Sequence, residues 1–360
     1  MSAINKKKKE IIMKFKRFKH SIIQNLITKI FVKIGLPIKD AKICSYSLIR
    51  SDLRGVWSHG IARTSIYCKR IIKKVANPKP KLKIKFFSQS IAHLNGNNGL
   101  GFVIANRAID EAIKMAKKNG IGLVAVSNSN HFGMAALYLE KAVKHNCMSW
   151  IFTNASPALP PHGAMAPHFG TSPFAFGCPT NKKDVPFILD MATSSVARGK
   201  LKFAAQRGEK IPYGLALDKK GNPTNDGFKA FEGIMLPFGG MKGAGLSWMM
   251  DIVGGIFTGA NFNGKVKNAI SNFSGPANVG HVFICVKSNI FQKNFNQRMM
   301  QGIQTAKKLK LAKGFKKILH PGEPEAIRLK ENLKKGIPIS PDVIADLKNL
   351  AQSLNIKAKL

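Results

Sequence analysis

The stretch Asn98-Gly99-Leu100-Gly101-Phe102-Val103-Ile104 opens like a dinucleotide-binding loop and then departs from one. In the G-x-G-x-x-G fingerprint the third glycine lets the helix pack closely, and a carboxylate about 20 residues further on holds a ribose hydroxyl. Here Ile104 takes the place of the third glycine, and no Asp or Glu follows at that distance. Phe102–Lys118 has helical spacing with Gly120 just past its end, and Ile121–Val126 reads as a short buried strand. Gly240-Met241-Lys242-Gly243 fails as a Walker loop, because neither Ser nor Thr follows the lysine. The chain is α/β in pattern, without a Rossmann or P-loop signature.

Outward from that stretch, Ile22–Ile34 repeats apolar residues at helical spacing and Gly35 supplies a stop. A second helix is expected over Asp40–Asp52, and a strand over Lys81–Leu94. A helix from about Met134 to Lys144 follows Ser127–Gly133, and Cys147–Thr153 and Val185–Leu189 read as strands. Asp190 is expected to start a helix reaching about Ala205. Another helix follows the glycine-rich loop at about Ala244–Phe257. Gly280–Val286 is a strand, Asn294–Leu309 a helix, and the last thirty residues are helical without evident chemistry.

The 360 residues, 44% of them hydrophobic, suffice for a packed globular body. The best apolar run, Gly245–Phe262, is interrupted by Asp251, so no membrane span is expected. Cys44, Cys68, Cys147, Cys178 and Cys285 are odd in number and form no CxxC pair, which points to reduced thiols and a cytoplasmic setting. Residues Met1 to about Arg17 read as a solvated basic extension. Lys and Arg number 58 against 18 acidic residues, a net +40. Such a field draws anionic substrates and cofactors. It also admits a nucleic-acid-binding protein without catalysis, but the lysines are spread through the chain and do not alternate with aromatics as a base-stacking surface requires.

The chemistry concentrates in Arg54-Gly55-Val56-Trp57-Ser58-His59-Gly60-Ile61-Ala62-Arg63. His59 titrates near neutrality, Ser58 can hydrogen-bond beside it, and Arg63 offers a planar fork to a carboxylate. If the segment is helical, His59 and Arg63 share a face at i, i+4. His131, in Ser127-Asn128-Ser129-Asn130-His131-Phe132-Gly133, is a second candidate, expected at a helix N-terminus that would hold it neutral. His162 and His168 lack partners of metal-ligand type, so no metal is expected. Asp190 can accept ribose hydroxyls at a strand end, and Lys242 after two glycines suits an anion. Glu323, in the acidic turn His320–Glu325, also offers a carboxylate to a ribose.

These runs, with Thr153–Pro157, Phe169–Pro179, Leu189–Lys200 and Leu236–Phe262, resemble the type-2 malate/L-lactate dehydrogenases over nearly the whole chain. The family is one of NAD(P)-dependent 2-oxoacid reductases, with relatives acting on ureidoglycolate, sulfolactate, diketogulonate and cyclic imino acids. The resemblance implies a non-Rossmann, mixed and largely antiparallel cofactor-binding sheet with a helical N- and C-terminal substrate subdomain. It implies parts at about 18–80, 81–290 and 291–360, and a homodimer. It places His59 on a proton donor of diketogulonate-type members and His131 on an acid/base residue of ureidoglycolate-type members. Asn154 and Ala155 fall near substrate and nicotinamide. Asp190, Met191, Ala192, Lys242, Gly322, Glu323 and Pro324 fall on cofactor contacts. The chain departs from the family pattern at Met241, where His or Tyr is usual, at Leu215 in place of Trp, and at Gly227 in place of Pro. The implied function is hydride transfer between NAD or NADP and a small 2-oxo/2-hydroxy acid such as malate or lactate, with cyclic imine reduction as the alternative in the same class.

Overall fold

The computed structural model describes residues 15–181, 185–358 and 360. Most of the expected basic extension lies outside them. Its end is not a solvated tail, because Lys16–Phe18 forms strand β1. Helices α1 (His20–Lys33) and α2 (Ile38–Leu53) follow, then two 3-10 turns, Trp57–His59 and Ile61–Arg63, and helix α3 (Thr64–Ile72). The strand expected at Lys81–Leu94 is a hairpin of β2 (Lys83–Phe86) and β3 (Ile91–Asn95). Next come α4 (Gly101–Asn119), β4 (Ile121–Ser129), α5 (Ala136–Lys144), β5 (Cys147–Thr153), β6 (Phe174–Cys178) and β7 (Phe187–Met191). Then follow α6 (Arg198–Arg207), β8 (Ala216–Leu217), α7 (Gly227–Glu232), β9 (Ile234–Met235) and α8 (Met241–Asp251), which runs into a π turn at Ile252–Ile256. Strand β10 (Val279–Lys287), α9 (Phe295–Lys307), α10 (Glu323–Lys335), β11 (Ile337–Ile339) and α11 (Pro341–Ser353) complete the chain.

Two compact units result: the residues up to Lys69 together with Glu325–Leu360, and Arg70–Pro324. In the first, α1 packs on α2 through buried Ile23, Ile27, Ile30 and Phe31 on one side and Ala41, Cys44 and Leu48 on the other. A hydroxyl pair, Thr28 Oγ1 and Ser45 Oγ, joins the two helices at 2.7 Å. Gly35 ends α1 with φ +107°, a conformation that favours glycine. β1 pairs antiparallel with β11, Lys16 opposite Ile339. The C-terminal chain therefore returns to the N-terminal helices.

The second unit is built on a seven-stranded sheet of order β2-β3-β4-β10-β5-β6-β7. Only β3 and β4 are parallel; every other neighbouring pair is antiparallel. α4 lies against β4 and β10 and buries Phe102, Ile104, Ile109 and Met115. Full burial of each such side chain contributes roughly 1.5–3 kcal/mol. Close helix-to-strand packing comes from Gly122 on β4, where a Cβ would stand 2.3 Å from Ala112 O. All five cysteines are buried free thiols.

Gly101, the first residue of α4, backs onto the chain that leaves β4. A Cβ there would lie 2.2 Å from Asn130 O and 2.5 Å from His131 O. Gly101→Ala is therefore expected to cost more than about 2 kcal/mol, a fall in Tm of about 5 °C, read by differential scanning fluorimetry.

Candidate active site

In the first unit, Ser58, His59 and Arg63 occupy two 3-10 turns and not one α-helix. The break falls at Gly60, whose φ of −100° and ψ of −150° are extended. The i, i+4 face expected for His59 and Arg63 is therefore replaced by direct bracing. Arg63 Nε donates to Ser58 O at 2.8 Å, and Ser58 Oγ and His59 Nδ1 share a hydrogen bond of 2.8 Å. The His59 ring keeps some accessible surface but is crowded by protein on nearly all sides. That burial, and secondly the Arg63 charge, pull its pKa down to about 4. It is neutral at pH 7.

In the second unit, Asn130 leaves β4 fully engaged. Its amide donates to Gly99 O at 2.8 Å and to Asn98 Oδ1 at 3.0 Å, and its carbonyl accepts from Arg70 at 3.2 Å. His131 follows, half-buried. Its Nδ1 accepts from Gly133 N–H at 3.3 Å, so the neutral ring carries its proton on Nε2. It does not stand at a helix N-terminus: α5 starts at Ala136, and the Ala136 N–H is taken by Asp190 Oδ2 at 2.8 Å. Asp190 accordingly sits on β7 and caps α5, and the helix expected to begin beside it starts only at Arg198.

The ends of β4, β5 and β10 meet at His281, which is wholly buried. Ser129 Oγ lies 2.8 Å from Nε2 and Thr153 Oγ1 2.7 Å from Nδ1. Thr153 also donates to Gly280 O at 3.0 Å. Ser129 Oγ in turn donates to Asn130 O at 3.3 Å, so each hydroxyl links the ring to the backbone. Phe132, beside His131, stacks on the ring at 4.5 Å between centroids. Burial pulls the pKa of His281 down to about 3. A register shift in β10 at this point aims the ring between its neighbours. Sequence reasoning passed over His281; its signal is a lone histidine in the apolar strand Val279–Lys287.

Asn154 follows Thr153 and is buried. Its carbonyl accepts from Gly280 N–H at 3.0 Å and its amide donates to Asn261 O at 2.6 Å, so its side chain fixes the loop. Ala155 is half-buried against Gly170, where a Cβ would stand 2.6 Å from Ala155 Cβ.

β7 gathers the residues expected at the cofactor. At its start, Ile188 N–H donates to Pro321 O at 3.0 Å, and Gly322 (φ +91°) lies against Ile188. At its end, Met191 is half-buried and Ala192 exposed. Thr193, next in line, is held by Phe238 N–H (3.0 Å) and Ser247 Oγ (2.9 Å). That contact brings in the loop Gly239–Gly240, both at positive φ, and Lys242 on the exposed first turn of α8. Glu323 begins α10 in place of the expected turn. Its Oε2 meets Lys307 Nζ at 2.6 Å and His320 Nδ1 at 2.9 Å. Burial pushes the Glu323 carboxyl up, but the hydrogen bonds from Lys307 and His320 N–H and the nearby positive charge outweigh it and hold it below the usual range. One oxygen of Glu323 is thus committed within the protein. Pro324 is half-buried beside it.

A cavity of about 400 Å³ opens beside this turn, between α9 and the start of β7. Phe187, Ile303, Ile318 and His320 line it, with Arg298 and Lys307. The His320 and Phe187 rings lie nearly parallel, 6.3 Å apart. His320 Nδ1 contacts Glu323 off the line of a hydrogen bond, and Nε2 is buried with no hydrogen-bond partner. A flat apolar wall beside an unpartnered buried nitrogen suits a heteroaromatic base. At Gly240 a Cβ would meet nothing within 4 Å, so a ligand can approach that backbone.

The chain belongs to the malate/L-lactate dehydrogenase family, whose sequence profile matches residues 18–348. It is 36% identical over 336 residues to a malate/(S)-sulfolactate dehydrogenase of Methanothermus fervidus, covering 93% of this chain and 97% of that one. The solved sulfolactate dehydrogenase of Methanocaldococcus jannaschii superposes with a TM-score of 0.91 at 36% identity, covering 96% of this chain and 99% of that one. The Δ1-piperideine-2-carboxylate reductase of Pseudomonas syringae superposes with a TM-score of 0.83 at 25% identity, covering 93% and 100%. The mixed α/β fold is the one these dehydrogenase structures share.

The buried groups set an acid limit on the fold. His281 and His59 are depressed to about 3 and about 4, from an unfolded value of about 6.5. Their contribution is complete above the unfolded value and is lost as the pH falls through the folded ones. Asp52, raised to about 7 by burial against the Ile61 hydrogen bond, has the opposite sign: its contribution is full below about 4 and lost as the pH rises through 7. In Tm measured from pH 4 to 8, His281→Gln is expected to lower stability throughout and to flatten the acid limb between pH 6.5 and 4.

Proposed function

We propose that this dehydrogenase reduces a small, anionic 2-oxo acid to its 2-hydroxy acid with a nicotinamide cofactor, reversibly, and that malate-like or sulfolactate-like acids rank before lactate. The observation that carries this reading is the braced trio Ser58, His59 and Arg63. Arg63 spends Nε on the Ser58 carbonyl, which leaves the end of its guanidinium to a substrate carboxylate. The net charge of +40 favours capture of an acid that carries a second anionic group.

The residues of the second unit fit a nicotinamide dinucleotide. The His320–Phe187 cavity suits its base, Lys242 and the Gly239–Gly240 backbone suit its phosphates, and Asp190 and Glu323 border the same strand. Matches named for NAD and for NADP both occur, and which of the two is used here belongs to the assay. When bound, the cofactor supplies the hydride; the protein supplies position and proton. The largely antiparallel sheet, with no crossover glycine fingerprint, supports a nucleotide site distinct from a Rossmann fold.

His59 is the proposed proton carrier. Neutral at pH 7, it accepts the hydroxyl proton in the oxidising direction. In the reducing direction it must first gain a proton. A substrate carboxylate on Arg63 offsets one of the two causes that hold its pKa down. His131, with Nδ1 accepting from Gly133, offers Nε2–H as a neutral donor and is the rival carrier.

Cyclic imine reduction is the second reading, favoured by the resemblance to the Pseudomonas syringae reductase. A C=N carbon takes hydride as a C=O carbon does, and the same carboxylate clamp serves. A homodimer is proposed from the exposed apolar stripe Met241, Trp248, Ile252, Ile256 and Phe257 along α8 and its π turn. A cytoplasmic location agrees with the free thiols.

NADH and NADPH oxidation should be followed against oxaloacetate, sulfopyruvate, pyruvate and a cyclic imino acid. Turnover of a 2-oxo diacid above pyruvate is expected; turnover confined to the imine selects the second reading. His59→Gln is expected to lower kcat by roughly 10²–10⁴-fold, and His131→Gln by much less; the reverse order transfers the role to His131. Arg63→Gln should raise KM most and move the acid limb of the oxidation pH profile upward, because the cation that depresses His59 is gone. Light scattering should give twice the 39.4 kDa chain mass, and Trp248→Glu should shift it toward one chain.

A further inference from the structure

We infer that Asp52 is the positioning residue of the His59–Arg63 segment: from the end of α2 its carboxylate fastens the joint between the two 3-10 turns and so sets where the imidazole and the guanidinium stand. The inference rests on the proposed roles of His59 and Arg63.

The geometry points to it from three sides. Asp52 is buried, and its Oδ2 accepts the Ile61 N–H at 2.5 Å. Ile61 opens the second turn, so this N–H has no partner within its own helix and must find one outside. Gly60 leaves no room for anything else: a Cβ there would stand 1.8 Å from Oδ2 and 2.4 Å from Cγ. Asn332 on α10 holds the same corner from behind, donating to Leu53 O at 3.1 Å and to Asp52 O at 3.4 Å. Beyond the joint, the chain closes on itself through Thr64 Oγ1 to Ile61 O at 2.7 Å and Arg63 N–H to Gly60 O at 2.9 Å. A carboxylate buried with a single backbone donor is costly, and a leucine of similar size would avoid that cost. What Asp52 supplies that leucine cannot is the acceptor at the one point where the His59 turn and the Arg63 turn meet. Burial first, and then the Arg63 charge, pulls the His59 ring toward neutrality, and the part given to Asp52 is one of position.

The acceptor, not the negative charge, is therefore the essential feature. In the full-length protein, Asp52→Asn keeps an acceptor in the same volume and is expected to retain kcat within about threefold. Asp52→Leu removes the acceptor, and Asp52→Ser withdraws it by one bond from the Ile61 N–H; both are expected to drop kcat at least tenfold. The Kd of NADH, read by fluorescence, should change less than twofold, because its proposed site lies in the other unit. Hydrogen exchange over residues 57–63 should stay slow in the Asn variant and quicken in the Leu and Ser variants, an outcome independent of which histidine carries the proton. If His59→Gln keeps normal turnover, the role given to His59 fails, and the exchange data still decide on Asp52. The inference is overturned if the Leu or Ser variant folds with kcat and exchange unchanged, or if Asn is as damaging as Leu. It is also overturned if NADH binding is lost in step, or if neither Leu nor Ser folds while Asn does, which would make Asp52 a determinant of folding instead.

Discussion

A single neutral imidazole holds the working end of the sheet together. His281 sits near the start of β10, between the ends of β4 and β5, and those two strands continue into segments with candidate chemistry: Asn130–His131 from β4 and Asn154–Ala155 from β5. The ring between the Ser129 and Thr153 hydroxyls stays uncharged. Burial ensures this, since desolvation disfavours the cation far more than it weakens a neutral hydrogen bond. Two hydrogen bonds and the Phe132 stack fix the ring in rotation as well as position. Side-chain ties from Asn154 to Gly280 and from Asn278 to Asn128 add to that anchor past the strand ends, where the backbone ladders no longer hold the chain.

The same economy recurs at β7. Its start is bonded to Pro321, its end caps α5 through Asp190, and its continuation is held by α8 through Ser247. Segments far apart in sequence become neighbours because one edge strand takes a contact at each of its stations. An edge strand has unpaired groups to dispose of, and here a turn covers them. Glycine makes the approach possible: at Gly322 a Cβ would press to 3.0 Å on Ile188.

Much of the fold was legible in the sequence, because helical period and strand apolarity are local properties. Cys147–Thr153 was read to the residue, and α1, α2, α4 and β10 to within one or two. The hairpin at β2 and β3 merged into one strand because Ser88-Gln89-Ser90 carries no glycine or proline. Asp190 was read as starting its own helix because an acid before Thr and Ser is an N-cap pattern. Its carboxylate instead caps a helix more than fifty residues earlier, a tertiary choice that local pattern cannot register. The absent third glycine of the nucleotide loop was read as a departure from the fingerprint. What replaces it, Gly122 on the strand with Gly101 at the helix start, becomes visible only once α4 and β4 are in contact. For the site, residue types such as His59, Arg63 and Lys242 stood out. Asp52, which accepts the Ile61 N–H, and His281, which lies between Ser129 and Thr153, did not, because a buried polar residue does not name its partner in the sequence.

The neutrality of His59 has a consequence for the direction of proton flow. In the free protein burial and Arg63 hold the ring near pKa 4, so in its proposed role it starts as a base and not as a stored acid. A reductase needs a proton at the moment hydride arrives. A permanently protonated imidazole beside a guanidinium would supply it, but two adjacent cations would repel throughout the idle state. Neutrality avoids that repulsion and leaves the proton to be taken up when an anion binds the guanidinium. Carboxylate binding and proton uptake then favour one another, since each offsets the cost of the other. A neutral analogue that lacks the carboxylate would bind without raising the proton affinity of His59. Under the roles proposed for His59 and Arg63, discrimination between substrates extends beyond the clamp itself into the acid step.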